Sequence, residues 1–135
     1  MANVLVIDVA NVMGSRPDGW WRDRPGAATR LLGQLVKVIG QEVASPDGGE
    51  PLVIHRAIAV VEGRARAAQI PDDATSVGLE VMAASADGDS TIVAAAQGVL
   101  GGNHLPIVVT ADRGLRERLP SGALVAGPSW LLRLL

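Results

Sequence analysis

The stretch Val4 to Gly14 reads VLVIDVANVMG, and the fold is decided by how it is read. Four β-favouring apolar residues, Val4 to Ile7, run into Asp8; after Val9 and Ala10 comes Asn11, and Gly14 follows at the start of a polar, turn-forming loop. A continuous apolar run of this length, bounded by a turn signal, suits a central strand of a parallel sheet covered on both faces. In open α/β sheets, ligands bind in the crevice beyond the carboxyl ends of such strands. Asp8 and Asn11 are therefore the first candidate site residues. A plainer reading stands beside this one, because an aspartate at a strand end also satisfies a turn by accepting from nearby backbone amides. Other acids converging on the same edge would separate the two.

Working outward, strand and helix patterns alternate. The polar loop from Met13 to Arg24 (MGSRPDGWWRDR) leads to a helix that Asp23 caps, with Pro25 in its first turn and an apolar stripe at Leu31, Leu32, Leu35, Val36 and Ile39. A surface loop, Ala44 to Glu50, precedes a second strand region, Pro51 to Val61. A short helix is expected over Arg64 to Gln69, a third strand over Val77 to Met82, and a helix over Thr91 to Leu100 capped by Asp89 or Ser90. Leu105 to Thr110 reads as a fourth strand ending at Asp112 and Arg113 to Leu119 as a short helix. Ala123 to Ala126 reads as a fifth strand, and Pro128 to Leu135 as a terminal amphipathic helix. Strands alternating with helices imply βαβ units, a parallel sheet and a three-layer α/β/α sandwich.

Composition bounds the class. A chain of 135 residues, 48% hydrophobic and 19% charged, suits a single globular domain spanning 1–135. The net charge of −2 supplies no global basic field for nucleic acid. Lys37 is the only lysine, the other basic residues being arginines suited to bidentate phosphate contacts, a bias that GC-rich coding also produces. With no cysteine, disulfide frameworks and thiolate metal sites are excluded. No apolar run approaches a membrane span and no leader pattern opens the chain, so a cytoplasmic location is expected.

The acids now carry joint information. Asp8 follows the first strand, Asp87 and Asp89 the third, and Asp112 the fourth, which gathers them on one edge. Like charges that close raise each other's pKa and cost stability unless neutralised. A hard divalent cation, Mg²⁺ or Mn²⁺, does that with oxygen ligands, waters and substrate phosphate oxygens.

Three segments, VLVIDVANVMGSRPDGWWRDR, SADGDSTIVAAA and VVTADRGLRERL, resemble the NYN domains of the PIN-like nuclease superfamily, and in particular a bacterial subgroup whose loop carries SRPDGWWRDR. The resemblance implies a PIN-like sheet in strand order 3-2-1-4-5 and a metal-dependent cut of a phosphodiester, usually in RNA. It makes Asp8 similar to the first metal-binding aspartate and Asn11 to its accompanying asparagine; Asp89 matches the acid heading the third helix and Asp112 the acid after the fourth strand. Many relatives read GDD where this chain has Gly88-Asp89-Ser90, so a hydroxyl stands in for the second acid. Asp87 can compensate from the other side of Gly88, and Ser90 can still hold a water. In that strand order Asp8 and Asp112 fall side by side at the switch point.

Substrate-binding candidates lie just past the same strand ends. Arg16, Trp20, Trp21, Arg22 and Arg24 could stack a base and hold phosphates, the recipe for single-stranded nucleic acid, and Arg113 beside Asp112 could reach a phosphate. The competing reading has the tryptophans clamping the loop onto the first helix while the arginines pair with Asp18 and Asp23. His55 and His104 lack partner spacing and read as structural or solvent-exposed, and Trp130 as core. Three functional readings follow. One is a metal-dependent ribonuclease, acting alone, as a homo-oligomer or under a regulatory protein partner; the others are an RNA- or protein-binding module with a degenerate site, and a nucleotide phosphohydrolase.

Overall fold

The computed structural model describes residues 1–85 and 87–135. In chain order the elements are β1 (Asn3–Asp8), α1 (Val9–Gly14), a 3-10 turn (Trp20–Arg22), α2 (Arg24–Val38), β2 (Glu42–Val43), β3 (Leu52–Val53), β4 (Arg56–Val61) and a 3-10 turn (Gly63–Ala67). There follow α3 (Ala74–Val77), β5 (Leu79–Ala83), α4 (Gly88–Gly101), β6 (Leu105–Val109), α5 (Arg113–Arg118), β7 (Leu124–Ala126) and α6 (Pro128–Leu132).

Five strands form one parallel sheet in the order β5-β4-β1-β6-β7. Counted along the chain, that is the expected 3-2-1-4-5. β1 lies at the centre because its side chains suit burial on both faces: Val4, Leu5, Val6 and Ile7 are all fully buried. Successive strand residues point to opposite faces. Leu5 and Ile7 accordingly join Ala59, Ile107 and Val109 in one core, beneath Ala28, Leu31, Leu32 and Leu35 of α2. Val4 and Val6 join Ile58, Val60 and Val108 in the other, beneath Ile92, Ala96 and Val99 of α4 and Leu115 of α5. Each fully buried Val, Leu or Ile contributes about 1.5–3 kcal/mol, so the two cores hold the sheet edge rigidly in place.

Local chemistry moved several expected boundaries. Pro51 to Val61 divides into β3, which pairs antiparallel with β2 in a separate hairpin, and the sheet strand β4. Val77 ends α3 instead of starting a strand: Gly78 takes φ 99°, a left-handed conformation that terminates the helix and lets β5 begin at Leu79. The helix expected at Thr91 starts at Gly88, and its cap is Asp87, not Asp89 or Ser90. The stretch read as a loop from Met13 to Arg24 holds the end of α1 and the Trp20–Arg22 turn. Asp23 does cap α2, accepting from Gly26 N at 3.0 Å.

The histidines sit at the opposite, amino edge of the sheet. His55 Nδ1 accepts from Asn3 N at 2.9 Å and His104 Nδ1 from Ala2 N at 2.8 Å, so both pin the start of β1. Trp130 is buried on the first core, its Nε1 donating to Ala44 O at 3.0 Å. No helix among the described residues is long and apolar enough to cross a membrane.

Candidate active site

Register fixes which residues meet at the carboxyl edge. Ile7 pairs with Val109, and the next residues along, Asp8 and Thr110, leave the ladder side by side. Asp8 is only 8% exposed, and Thr110 is fully buried. The Thr110 hydroxyl donates to Asp8 Oδ2 at 3.0 Å and accepts from Asp112 N at 3.1 Å, so a single oxygen ties the ends of β1 and β6 together. Asp8 Oδ1 accepts from Asn11 N at 3.3 Å, capping α1. The Asn11 side chain crosses to β6, its Oδ1 accepting from Ala111 N at 2.8 Å. Because that oxygen is committed, an incoming substrate oxygen would meet the amide NH₂ of Asn11.

The remaining acids arrive from neighbouring elements. Glu62 directly follows β4, and its Oε2 accepts from Gly88 N at 3.1 Å at the head of α4. A Cβ at Gly88 would overlap the Glu62 carboxylate and push it off the Gly88 amide. Asp89 lies in the first turn of α4, half-buried. Asp112 caps α5 by accepting from Leu115 N at 3.1 Å. Asp87 and Ser90 form an exposed rim: Ser90 Oγ donates to Asp87 Oδ2 at 2.7 Å and accepts from Arg118 Nη2 at 3.0 Å.

Charge crowding registers in the acids themselves. Burial pushes the Asp8 carboxyl above the ordinary carboxylate value and outweighs the Thr110 and Asn11 donors, while Glu62 and Asp89 push it further. Asp89 is likewise raised, first by burial and then by Asp112 and Asp87, with Arg118 opposing. Asp87 is lowered, chiefly by the Ser90 hydroxyl. Asp8 thus feels the charges of Glu62 and Asp89, and Asp89 those of Asp112 and Asp87. Among the described residues no group of three or more acidic or histidine side chains is placed so that it could hold a metal ion.

The arginine and tryptophan candidates divide. Arg16 is turned away, its Nη2 donating to Gln34 Oε1 of α2 at 2.9 Å. Trp20 packs half-buried on the first core, whereas Trp21 is 55% exposed. Arg24 lies 5.5 Å from the centre of the Trp20 ring and Arg22 lies 5.9 Å from that of Trp21. Asp18 and Asp23 accept instead from the backbone amides of Trp20 and Gly26, so the arginines are held by aromatic faces. Arg113 is exposed at the start of α5.

No family model matches the chain, and no curated protein does either. Among solved structures, Rae1 (YacP) from Bacillus subtilis superposes with a TM-score of 0.70, covering 97% of this chain and 73% of that one at 20% identity. The chain has the fold of Rae1. That likeness, together with the sheet order, gives a PIN-like α/β architecture.

Sequence reasoning missed three residues of this edge. Glu62 was legible by the rule that found the others, an acid directly after a strand (AVVEG), but the strand region was read only to Val61. Thr110 was read as the end of the strand, not as the bridge between Asp8 and Asp112. Arg116, whose Nε and Nη2 donate to Thr110 O at 3.1 and 2.8 Å, lies in the short helix without a motif that marks it. Its role depends on α5 folding back over β6, which no local pattern signals.

Proposed function

We propose that the chain is a metal-dependent ribonuclease that hydrolyses RNA phosphodiesters at the Asp8, Glu62, Asp89 and Asp112 edge. The observation that supports this reading is placement: Asp8, Glu62, Asp89 and Asp112 all follow the carboxyl ends of strands at the edge where the sheet reverses its winding, and Asp8 is buried there. Acids kept together against their own repulsion are a common mark of a functional site. The NYN-like motifs support the same class.

In this reading Asp8, Asp89 and Asp112, with Glu62 beside them and Asp87 at the rim, would hold Mg²⁺ or Mn²⁺ directly or through its waters. When bound, the ion polarises the scissile phosphate and acidifies the attacking water. The protein's own part is positional. Thr110 and the Asn11 backbone amide hold both Asp8 oxygens, fixing the carboxylate's orientation. The Asn11 amide donates to a phosphate oxygen, Arg113 and Arg118 stand ready to offset phosphate charge, and Arg22 and Arg24 receive the flanking strand.

A second reading, RNA gripped without cutting, is favoured by Ser90, whose hydroxyl is bound to Asp87 and Arg118 at the rim. Incubating labelled single-stranded RNA with the protein and millimolar Mg²⁺ or Mn²⁺ separates the two. Hydrolysis that chelator abolishes is the expected result; tight binding with intact RNA under every metal condition would leave only the binding module.

A further inference from the structure

A cavity of about 390 Å³ opens beside the acid edge, between α1, the Trp20–Arg22 turn and the segment after β4. Ala10, Met13 and Ala65 give it an apolar floor, while Trp20, Arg24 and Glu62 supply its walls. We infer that this cavity receives one unpaired nucleobase of the RNA strand, guanine in preference to uracil, so that the adjoining phosphodiester lies against Asp8 and Asp89. The inference rests on the proposed function and adds a base-reading subsite to it.

Size admits a base, since small-ligand pockets run from roughly 300 to 1,000 Å³. Its walls suit one as well. Trp20 is half-buried in the core and the Arg24 guanidinium lies over its ring, 5.5 Å from the centre, so the two border the cavity as one stacked pair. Aromatic rings and guanidinium planes are the groups on which unstacked bases settle. A base paired within a duplex would have to be flipped out at a cost of a few kcal/mol, which favours single strands, loops or ends as substrate.

Glu62 links the cavity to the chemistry. It lines the cavity, is held at the head of α4 by Gly88 N, and stands close enough to Asp8 to act on its charge. Glu62 is thus the residue that the cavity shares with the acid edge. With Oε2 committed to Gly88, the carboxylate offers acceptor capacity alone to the cavity. Guanine presents two adjacent N–H donors on its pairing edge. Uracil presents one, flanked by carbonyl oxygens that a carboxylate repels. The larger hollow of about 620 Å³ along α4 has no carboxylate in its lining and meets the edge only at Ser90 and Thr91, so it offers no comparable reading head.

The test is metal-free binding by tryptophan fluorescence, in a Trp21→Phe protein that leaves Trp20 as the ring at the cavity. Guanosine monophosphate should quench saturably, uridine monophosphate at least about fivefold more weakly, and ribose 5-phosphate not at all. Arg24→Ala should weaken the guanosine nucleotide about fivefold or more, and Glu62→Gln should narrow the gap between the bases. Equal affinity for both nucleotides, quenching no greater than with ribose 5-phosphate, or indifference to Arg24→Ala would overturn the inference. RNA hydrolysis by the unsubstituted protein is scored separately. Hydrolysis without base-dependent quenching removes only this subsite, and base-dependent quenching without hydrolysis removes only the nuclease reading.

Discussion

Replacing Thr110 by Val keeps the β-branched shape and deletes one oxygen, the oxygen that joins Asp8 to Asp112. Asp8 would lose the 3.0 Å donor to its charged carboxylate, and Asp112 N would lose its acceptor. A hydrogen bond to a charged group contributes about 1.5–3 kcal/mol and a neutral one about 0.5–1.5 kcal/mol, so the loss should approach 2–4 kcal/mol at pH 7 once the stranded amide is added. The pH dependence is the sharper signature. Burial raises the Asp8 carboxyl above its ordinary 3.8, so the folded protein holds that proton more tightly than the unfolded chain. The stability this contributes is fully present below 3.8 and is lost as pH rises through the raised value. Thr110 opposes the rise, so Thr110→Val lifts the folded value further and deepens the loss at neutral pH. Denaturant unfolding of both proteins at pH 3, below the ordinary 3.8, and at pH 7 should show a penalty about 1–2 kcal/mol larger at pH 7, the difference between a charged and a neutral hydrogen bond. An equal penalty at both pH values would refute the claim that Thr110 acts on a buried, charge-strained Asp8.

Other expectations follow from the same geometry. Mn²⁺ should raise the melting temperature, by about 2.7 kcal/mol of stability at a hundredfold excess over its Kd. Asp8→Asn should abolish that rise while being no less stable than the parent without metal at pH 7, because it removes a buried charge pressed by Glu62 and Asp89; a thermal shift series reads both. Arg22→Ala should flatten the log–log salt dependence of single-stranded RNA binding by roughly 0.7 with little loss of stability; an unchanged slope would mean that Arg22 serves only the Trp21 ring. Gly78→Ala should cost about 1–2 kcal/mol in unfolding experiments, since alanine strains at φ 99° and its Cβ would come 3.3 Å from His55 O. Hydrolysis per folded molecule should stay unchanged in that variant, because Gly78 lies away from the acid edge.

The fold was legible because burial dictates β1 so strongly. A strand with Val4 to Ile7 all fully buried has a place only at the centre of a covered sheet, and the strand-end acids then fall on one edge whatever the details of the helices. Boundaries were less legible where several residues compete for one role. In Asp87-Gly88-Asp89-Ser90 any of three side chains can cap a helix, and the choice of Asp87 depends on Gly88 fitting beneath Glu62, a residue 26 positions away. The tryptophan loop shows the same limit. Asp18 and Asp23 looked like partners for arginines, but short side chains next to backbone amides bond those amides, leaving Arg22 and Arg24 to the rings. Contacts made through the third dimension, such as Arg116 on the Thr110 carbonyl, have no local pattern to announce them.

The most direct measurement is hydrolysis of a single-stranded RNA in millimolar Mg²⁺ or Mn²⁺ by the protein and by Asp8→Asn, each first shown to be folded by circular dichroism. Metal-dependent cleavage by the parent, reduced at least about 100-fold in the variant, is the predicted result. Cleavage at the same rate by both proteins, or none by the parent with either metal, would contradict an aspartate-centred nuclease.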